Sequence, residues 1–147
     1  MKKRVLIAAV TCCFLALVAV ATAFAQMPGT AIRATIPFAF SVRGKPLPAG
    51  EYEIKRITDS PDGLVIRNVN DKHDSVIFET ESVEPRKIPN TGEIVFHRYG
   101  DNYFLSEVLT AGEETGRELA PSRAERQLRR EMASTKNEPE TVALAVY

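Results

Sequence analysis

The chain has no tryptophan, and in 147 residues it holds only two histidines and two cysteines. Cys12 and Cys13 are adjacent and lie inside an apolar run, where they act as small hydrophobes. Small residues do not lead into them and the apolar run continues beyond, so the layout of a lipid-acceptor cysteine is missing. Beyond that run there is no thiol, disulfide or cysteine metal ligand. His73 and His97 are too few for a zinc site, which ordinarily takes three or four ligands led by His or Cys. Asp71, His73 and Asp74 stand close together, but in a turn-forming stretch where polar residues are expected anyway. No metal, cofactor-binding or catalytic residue is therefore assigned.

Long apolar runs are also absent, with one exception at the N-terminus. Met1-Lys2-Lys3-Arg4 precedes an uncharged stretch from Val5 to Ala25 that ends in Ala23-Phe24-Ala25. A basic start, an apolar centre and an A-x-A end are the layout of a secretory signal peptide. The alternative is a retained anchor, since about 20 apolar residues can span a bilayer. The small residues at the end of the run and the uncharged Gln26-Met27-Pro28-Gly29 favour cleavage after Ala25. The expected organisation is a signal peptide over 1–25 and one β-rich domain over 26–147, exported to the periplasm or the medium. Once the signal is removed, nothing marks the chain as an integral membrane protein.

The signal holds three of the 19 basic residues and none of the 19 acidic ones, which leaves 16 against 19, a net charge near −3. That balance argues against a nucleic-acid partner. About 120 residues can bury roughly two thirds of their unfolded surface, enough for a single core.

Period-two alternation locates that core. From Ile32 to Val42 the even positions are Ile, Ala, Ile, Phe, Phe and Val, the pattern of a half-buried strand. Pro37 lies on the other face and predicts an edge or a bulge there. Gly44 to Gly50 is a turn-rich connector that releases into Tyr52 and Ile54. Short strands follow at Leu64 to Val69 and Ser75 to Thr80, with Asn70-Asp71-Lys72 as the turn between them. Ser82 to Gly92, with Pro85 and Pro89, reads as a loop.

The stretch HRYGDNYFLSEV, residues 97–108, gathers side chains suited to catalysis around one glycine. A three-residue Gly100-Asp101-Asn102 loop sets Tyr99 opposite Tyr103 and collects Ile94, Phe96, Phe104 and Val108 on one buried face. His97 and Ser106 then point to opposite faces and cannot act as base and nucleophile. A two-residue Gly100-Asp101 turn would bring them onto one face, so the objection is conditional. Even so, Ser106 lacks the strand-to-helix elbow of a hydrolase nucleophile. The cluster His97, Asp101, Ser106 is carried as the alternative, a small hydrolase, while the reading leans away from an enzyme.

Ala111 to Ala120 reads as a polar loop. Ser122-Arg123-Ala124-Glu125 is a capping box, and it predicts a helix from about Arg123 to Ala133. Ala124, Leu128 and Met132 form a thin apolar stripe, and Arg123, Arg126, Arg129 and Arg130 share the other side. One reading is a basic helix lying on an anionic envelope surface. The plainer one is a surface helix capping the sheet, which the narrow stripe favours because it is too thin for strong insertion. Glu140 to Tyr147 returns to a strand. An outer-membrane barrel is disfavoured, since the other strands are short, charged and lack lipid-facing bands of about ten residues.

ATIPFAF, GKPLPAGEYEI, VFHRYGDNYFLSEV and GRELAPSRAER together resemble an uncharacterised family of small exported bacterial β-rich proteins of unknown function. The likeness spans nearly the whole chain after the signal, and VFHRYGDNYFL with GRELAPSRAER is its most specific part. The resemblance implies export and a compact β domain, and brings no activity or site residue with it. The combined expectation is an all-β domain, a small antiparallel sandwich or partly open barrel of six to seven strands with one C-terminal helix. Its expected role is that of a non-catalytic exported binding or envelope-associated protein.

Overall fold

The computed structural model describes residues 31–58, 60–135 and 138–146. The expected signal peptide lies outside the described residues, as does Tyr147. In chain order the elements are β1 (Ile32–Ile36), β2 (Phe40–Val42), β3 (Lys45–Leu47), β4 (Gly50–Ile57), β5 (Ser60–Asn68), β6 (Ser75–Glu79), β7 (Glu81–Val83), β8 (Gly92–Tyr99), β9 (Asn102–Leu109), β10 (Gly116–Glu118), α1 (Arg123–Ser134) and β11 (Glu140–Val146). Over the described residues the protein is all-β with one C-terminal helix. Among the described residues there are eleven strand segments, because several stretches expected as loops or single strands contribute three-residue pieces.

The first expected strand divides at Pro37-Phe38-Ala39 into β1 and β2. A proline without an N–H cannot continue a ladder, so the chain breaks there and passes between sheets. Its face assignment survives the break: Ala34, Ile36, Phe40 and Val42 are all buried. Within the supposed connector, Lys45–Leu47 pairs back on β2 as β3. Arg43 and Gly44 take φ of 52° and 93°, and two positive φ values in a two-residue loop are the type I′ arrangement that matches strand twist. Gly116–Glu118, in the expected polar loop, pairs with both β9 and β7 as β10.

Two sheets result. One has the order β1-β4-β5-β6, and the other β11-β8-β9-β10-β7 with β2 and β3 attached alongside β9. The chain crosses from the first to the second again at Thr80, between β6 and β7, where the Thr80 N–H and Oγ1 both donate to the Asp62 carbonyl at 2.9 and 2.8 Å. At the other margin β1 lies against β11 without a hydrogen-bonded ladder, so the sheets face one another as an incompletely closed barrel.

Between the sheets Ile36, Tyr52, Ile66, Ile94 and Phe96 are fully enclosed. Each such side chain contributes about 1.5–3 kcal/mol by leaving water. Phe40 meets Tyr52 and Phe96 edge-on at 5.1 and 5.5 Å, the offset that ring quadrupoles favour. The Tyr52 hydroxyl donates to the Pro48 carbonyl at 2.7 Å and so pins the bend before β4.

The β8–β9 hairpin departs from the expected register. Tyr99 pairs with Asn102 across a two-residue Gly100-Asp101 turn, and only Gly100, at 64°, has positive φ. That fits a II′ turn, whose first central residue is Gly. His97 then pairs with Phe104 and Phe96 with Leu105, and a bulge leaves Ser106 unpaired before Val95 meets Glu107. The inter-sheet core therefore takes Ile94, Phe96, Leu105 and Val108, not Phe104. Phe104 is buried on the reverse face, edge-on to Tyr99 at 5.7 Å. Nor do the two tyrosines pair: Tyr103 faces Arg98 and stacks on Phe38 at 3.9 Å.

Candidate functional site

The reverse face of the hairpin carries two of the three residues of the expected polar cluster, His97 and Ser106, and it is built by the turn and the bulge together. The two-residue turn sets His97 on the face away from the inter-sheet core. The extra residue at Ser106 turns its side chain to that same face, as bulges do when they re-aim a strand. The Leu119 N–H holds the bulge by donating to the Ser106 carbonyl at 2.8 Å. Helix α1 covers the position from above.

The helix starts as expected. Ser122 is the N-cap, and its hydroxyl accepts from the Glu125 N–H at 3.2 Å. The Glu125 side chain, however, is turned inward. Its Oε1 lies 3.0 Å from His97 Nδ1 and accepts from the Tyr99 hydroxyl at 3.4 Å. His97 Nε2 lies 3.3 Å from Ser106 Oγ. With the carboxylate accepting at Nδ1, a neutral imidazole carries its proton there and Nε2 accepts the Ser106 proton. Tyr99, Glu125, His97 and Ser106 thus form one hydrogen-bonded chain between helix and hairpin.

Sequence reading singled out His97, Asp101 and Ser106. The structure joins the first and last and leaves Asp101 out, exposed at the tip of the hairpin. Glu125 supplies the carboxylate instead. Its only signal was the third position of a capping box, where a glutamate is expected for a local reason. The apolar stripe is corrected with it: Ala124 is exposed, and the inward residues of α1 are Glu125, Leu128 and Met132.

Carboxylate, imidazole and hydroxyl stand in the order of a catalytic triad. The members differ in access. Ser106 is 3 % exposed, while the His97 side chain is 29 % exposed. His97 lies at one end of a groove of about 670 Å³, floored by Val95, Glu107, Leu109 and Thr141 and walled by residues 83–91, and Ser106 is not part of its lining. Glu107 in the floor has its carboxyl pushed above the usual range by burial and by Glu118 directly across the strands, against the pull of His97 and Arg86. The Tyr99 hydroxyl is likewise pushed upward, by burial and by the Glu125 carboxylate, against the pull of Arg129.

The arginines of α1 do not act as one set. Arg123, Arg126 and Arg130 line the solvent side of the helix, with Gln127 among them. Arg129 lies on the flank nearer Tyr99. A fourth guanidinium reaches the cluster from the other end of the sequence: Arg43, at the β2–β3 turn, donates to the Ala120 carbonyl at 2.9 Å and lines a concavity with Arg123 and Arg126. Sequence reasoning missed Arg43, which no spacing connects to the helix.

Comparison with known proteins returns no match to a family model, a curated relative or a solved structure. No helix among the described residues is long and apolar enough to cross a membrane.

Proposed function

We propose that this is an exported, non-catalytic protein of the cell envelope that contacts anionic surfaces through the outward arginines of α1. The resemblance to small exported β-rich proteins and the signal layout support export. The observation that carries the contact is the division of charge on the helix: its one first-turn acid, Glu125, is buried against His97, while Arg123, Arg126 and Arg130 face outward beside Arg43. Capping the sheet and contacting a surface are then compatible, since the inner side of α1 does the first and the outer side the second. The contact is electrostatic, because the only large apolar side chains of α1, Leu128 and Met132, are half-buried on its inner side and leave the outer side polar.

Sedimentation with vesicles containing anionic lipid tests this reading. Binding should be clear at 0.1 M salt and lost at 1 M, as the Debye length falls from about 10 to about 3 Å. Replacing Arg123, Arg126 and Arg130 together with Gln should abolish binding at low salt with little change in stability, since exposed charges each contribute at most about 1 kcal/mol. Absence of salt-sensitive binding by the native protein would leave the helix as a structural cap alone.

The Glu125–His97–Ser106 chain supports a second reading, a small serine hydrolase. It requires that Ser106, now covered, become accessible. A fluorophosphonate probe should then label Ser106, and His97→Ala should prevent it. An unlabelled native protein removes the reading.

A further inference from the structure

We propose that Arg43 and the start of α1 form a clamp selective for a terminal phosphate, a phosphomonoester, within the surface contact just described, on which this inference rests. The concavity is formed by the Arg43-Gly44 turn and by residues 121–124, 126 and 127, among them Arg43, Arg123 and Arg126, and none of its lining residues is acidic. Two of its guanidiniums are held by neighbouring carbonyls of the segment that leads into the helix. Arg43 Nη1 donates to the Ala120 carbonyl at 2.9 Å, and Arg126 Nη1 donates to the Pro121 carbonyl at 2.5 Å.

A guanidinium has five N–H donors, so one bond to a carbonyl fixes its position and leaves most of the fork free. Arg43 and Arg126 therefore offer oriented donors from two different elements to one concavity, which Arg123 also lines. Three cations lining one concavity suit a group with about two negative charges and three acceptor oxygens, which is what a phosphomonoester presents at neutral pH. A phosphodiester has one charge and two free oxygens, and would leave part of the donor set unused. The terminal phosphate could belong to a lipid headgroup or to a soluble molecule.

The test uses the full exported protein and neutral vesicles doped with either phosphatidic acid, a monoester, or phosphatidylglycerol, a diester, at matched surface charge. The phosphatidic acid vesicles should bind about tenfold more tightly, the scale of one additional charge-assisted contact. Arg43→Gln should remove that preference. Arg43→Lys, which keeps the charge and loses the fork, should remove the preference while salt-sensitive binding persists. Arg130→Gln deletes the same charge from outside the concavity, so it should weaken both bindings and keep the preference. Equal denaturant midpoints for the variants establish that each is folded.

Glycerol 1-phosphate is added as a competitor to distinguish the sources. Displacement of the protein from phosphatidic acid at millimolar concentration identifies a soluble phosphomonoester as sufficient, and its failure identifies the lipid headgroup. Salt-sensitive binding to both lipids without preference, or equal effects of Arg43→Gln and Arg130→Gln, overturns the clamp and leaves the surface contact standing. Binding to neither lipid overturns both.

Discussion

Glu125 occupies a position from which a side chain ordinarily reaches back to its own N-cap, yet its carboxylate is buried under α1 between His97 and Tyr99. The consequence is that this residue holds helix to hairpin. Glu125→Ala should cost about 1–3 kcal/mol in denaturant melts, the range for leaving buried polar partners unmatched. Ser122→Ala, which removes only the cap, should cost about 1 kcal/mol. A loss at Glu125 well below about 1 kcal/mol would mean that its inward turn contributes nothing. Glu107 gives a pH prediction of defined sign. Its folded-state pKa is raised by burial and by Glu118, so the folded protein holds that proton more tightly than the unfolded chain. Its contribution is therefore unfavourable at neutral pH and is relieved as pH falls through the raised value towards the ordinary carboxylate range. Glu107→Gln should stabilise the protein at pH 7 and flatten stability over that acidic window. A variant no more stable than the native protein at pH 7 would contradict the assignment. His97 and Ser106 were legible as candidates from residue type alone. Glu125 was not, because a local explanation already accounted for it.

At the scale of elements, the β8–β9 hairpin shows how one unpaired residue redistributes side chains. Simple alternation with a three-residue loop puts Phe104 in the core and separates His97 from Ser106. The real hairpin combines the shorter turn that Gly100 permits with a bulge at Ser106, and Val108 reaches the core by either route. Alternation at that end of the strand could not distinguish the two arrangements. The register can be tested by pairwise coupling. Phe96→Ala should cost about 3–5 kcal/mol and Leu105→Ala about 2–5 kcal/mol. As direct cross-strand neighbours they should couple by about 0.5–3 kcal/mol in a double-mutant cycle. Phe104→Ala should couple to Tyr99→Ala in place of Phe96→Ala, because Phe104 meets the Tyr99 ring on the helix side. Coupling of Phe104 with Ile94 and Phe96 would restore the longer loop.

For the whole molecule, the two sheets meet at Thr80 and approach again where β1 lies against β11, and α1 covers the hairpin from outside. The C-terminal strand is thus placed beside β8, far from its neighbours in sequence, and its register runs from Glu140 opposite Arg98 to Val146 opposite Gly92. Gly92 is needed at that closure, since a Cβ there would stand 2.7 Å from Val146 Cγ2. Gly92→Ala should therefore destabilise the protein and speed hydrogen exchange in β11 more than in β4. Uniform exchange would show that β11 accommodates the methyl without leaving the sheet. The export reading makes its own prediction at this scale. Protein recovered from the periplasm or medium should have an intact mass that begins at Gln26, and a retained 1–25 segment would refute it.

The β class, the buried face from Ala34 to Val42, the C-terminal strand and the capped helix are all written in local sequence. Each follows from local period, proline placement or capping chemistry, all of which act over a few residues. Tertiary structure alone decided that Glu125 would complete the chain to His97 and Ser106, that Phe104 would leave the core, and that Arg43 would join the arginines of α1. Those outcomes depend on a single-residue bulge and on contacts between residues 28 and 77 positions apart. No repeating pattern encodes such distances, because they are set by how the sheets and the helix pack once the local elements exist.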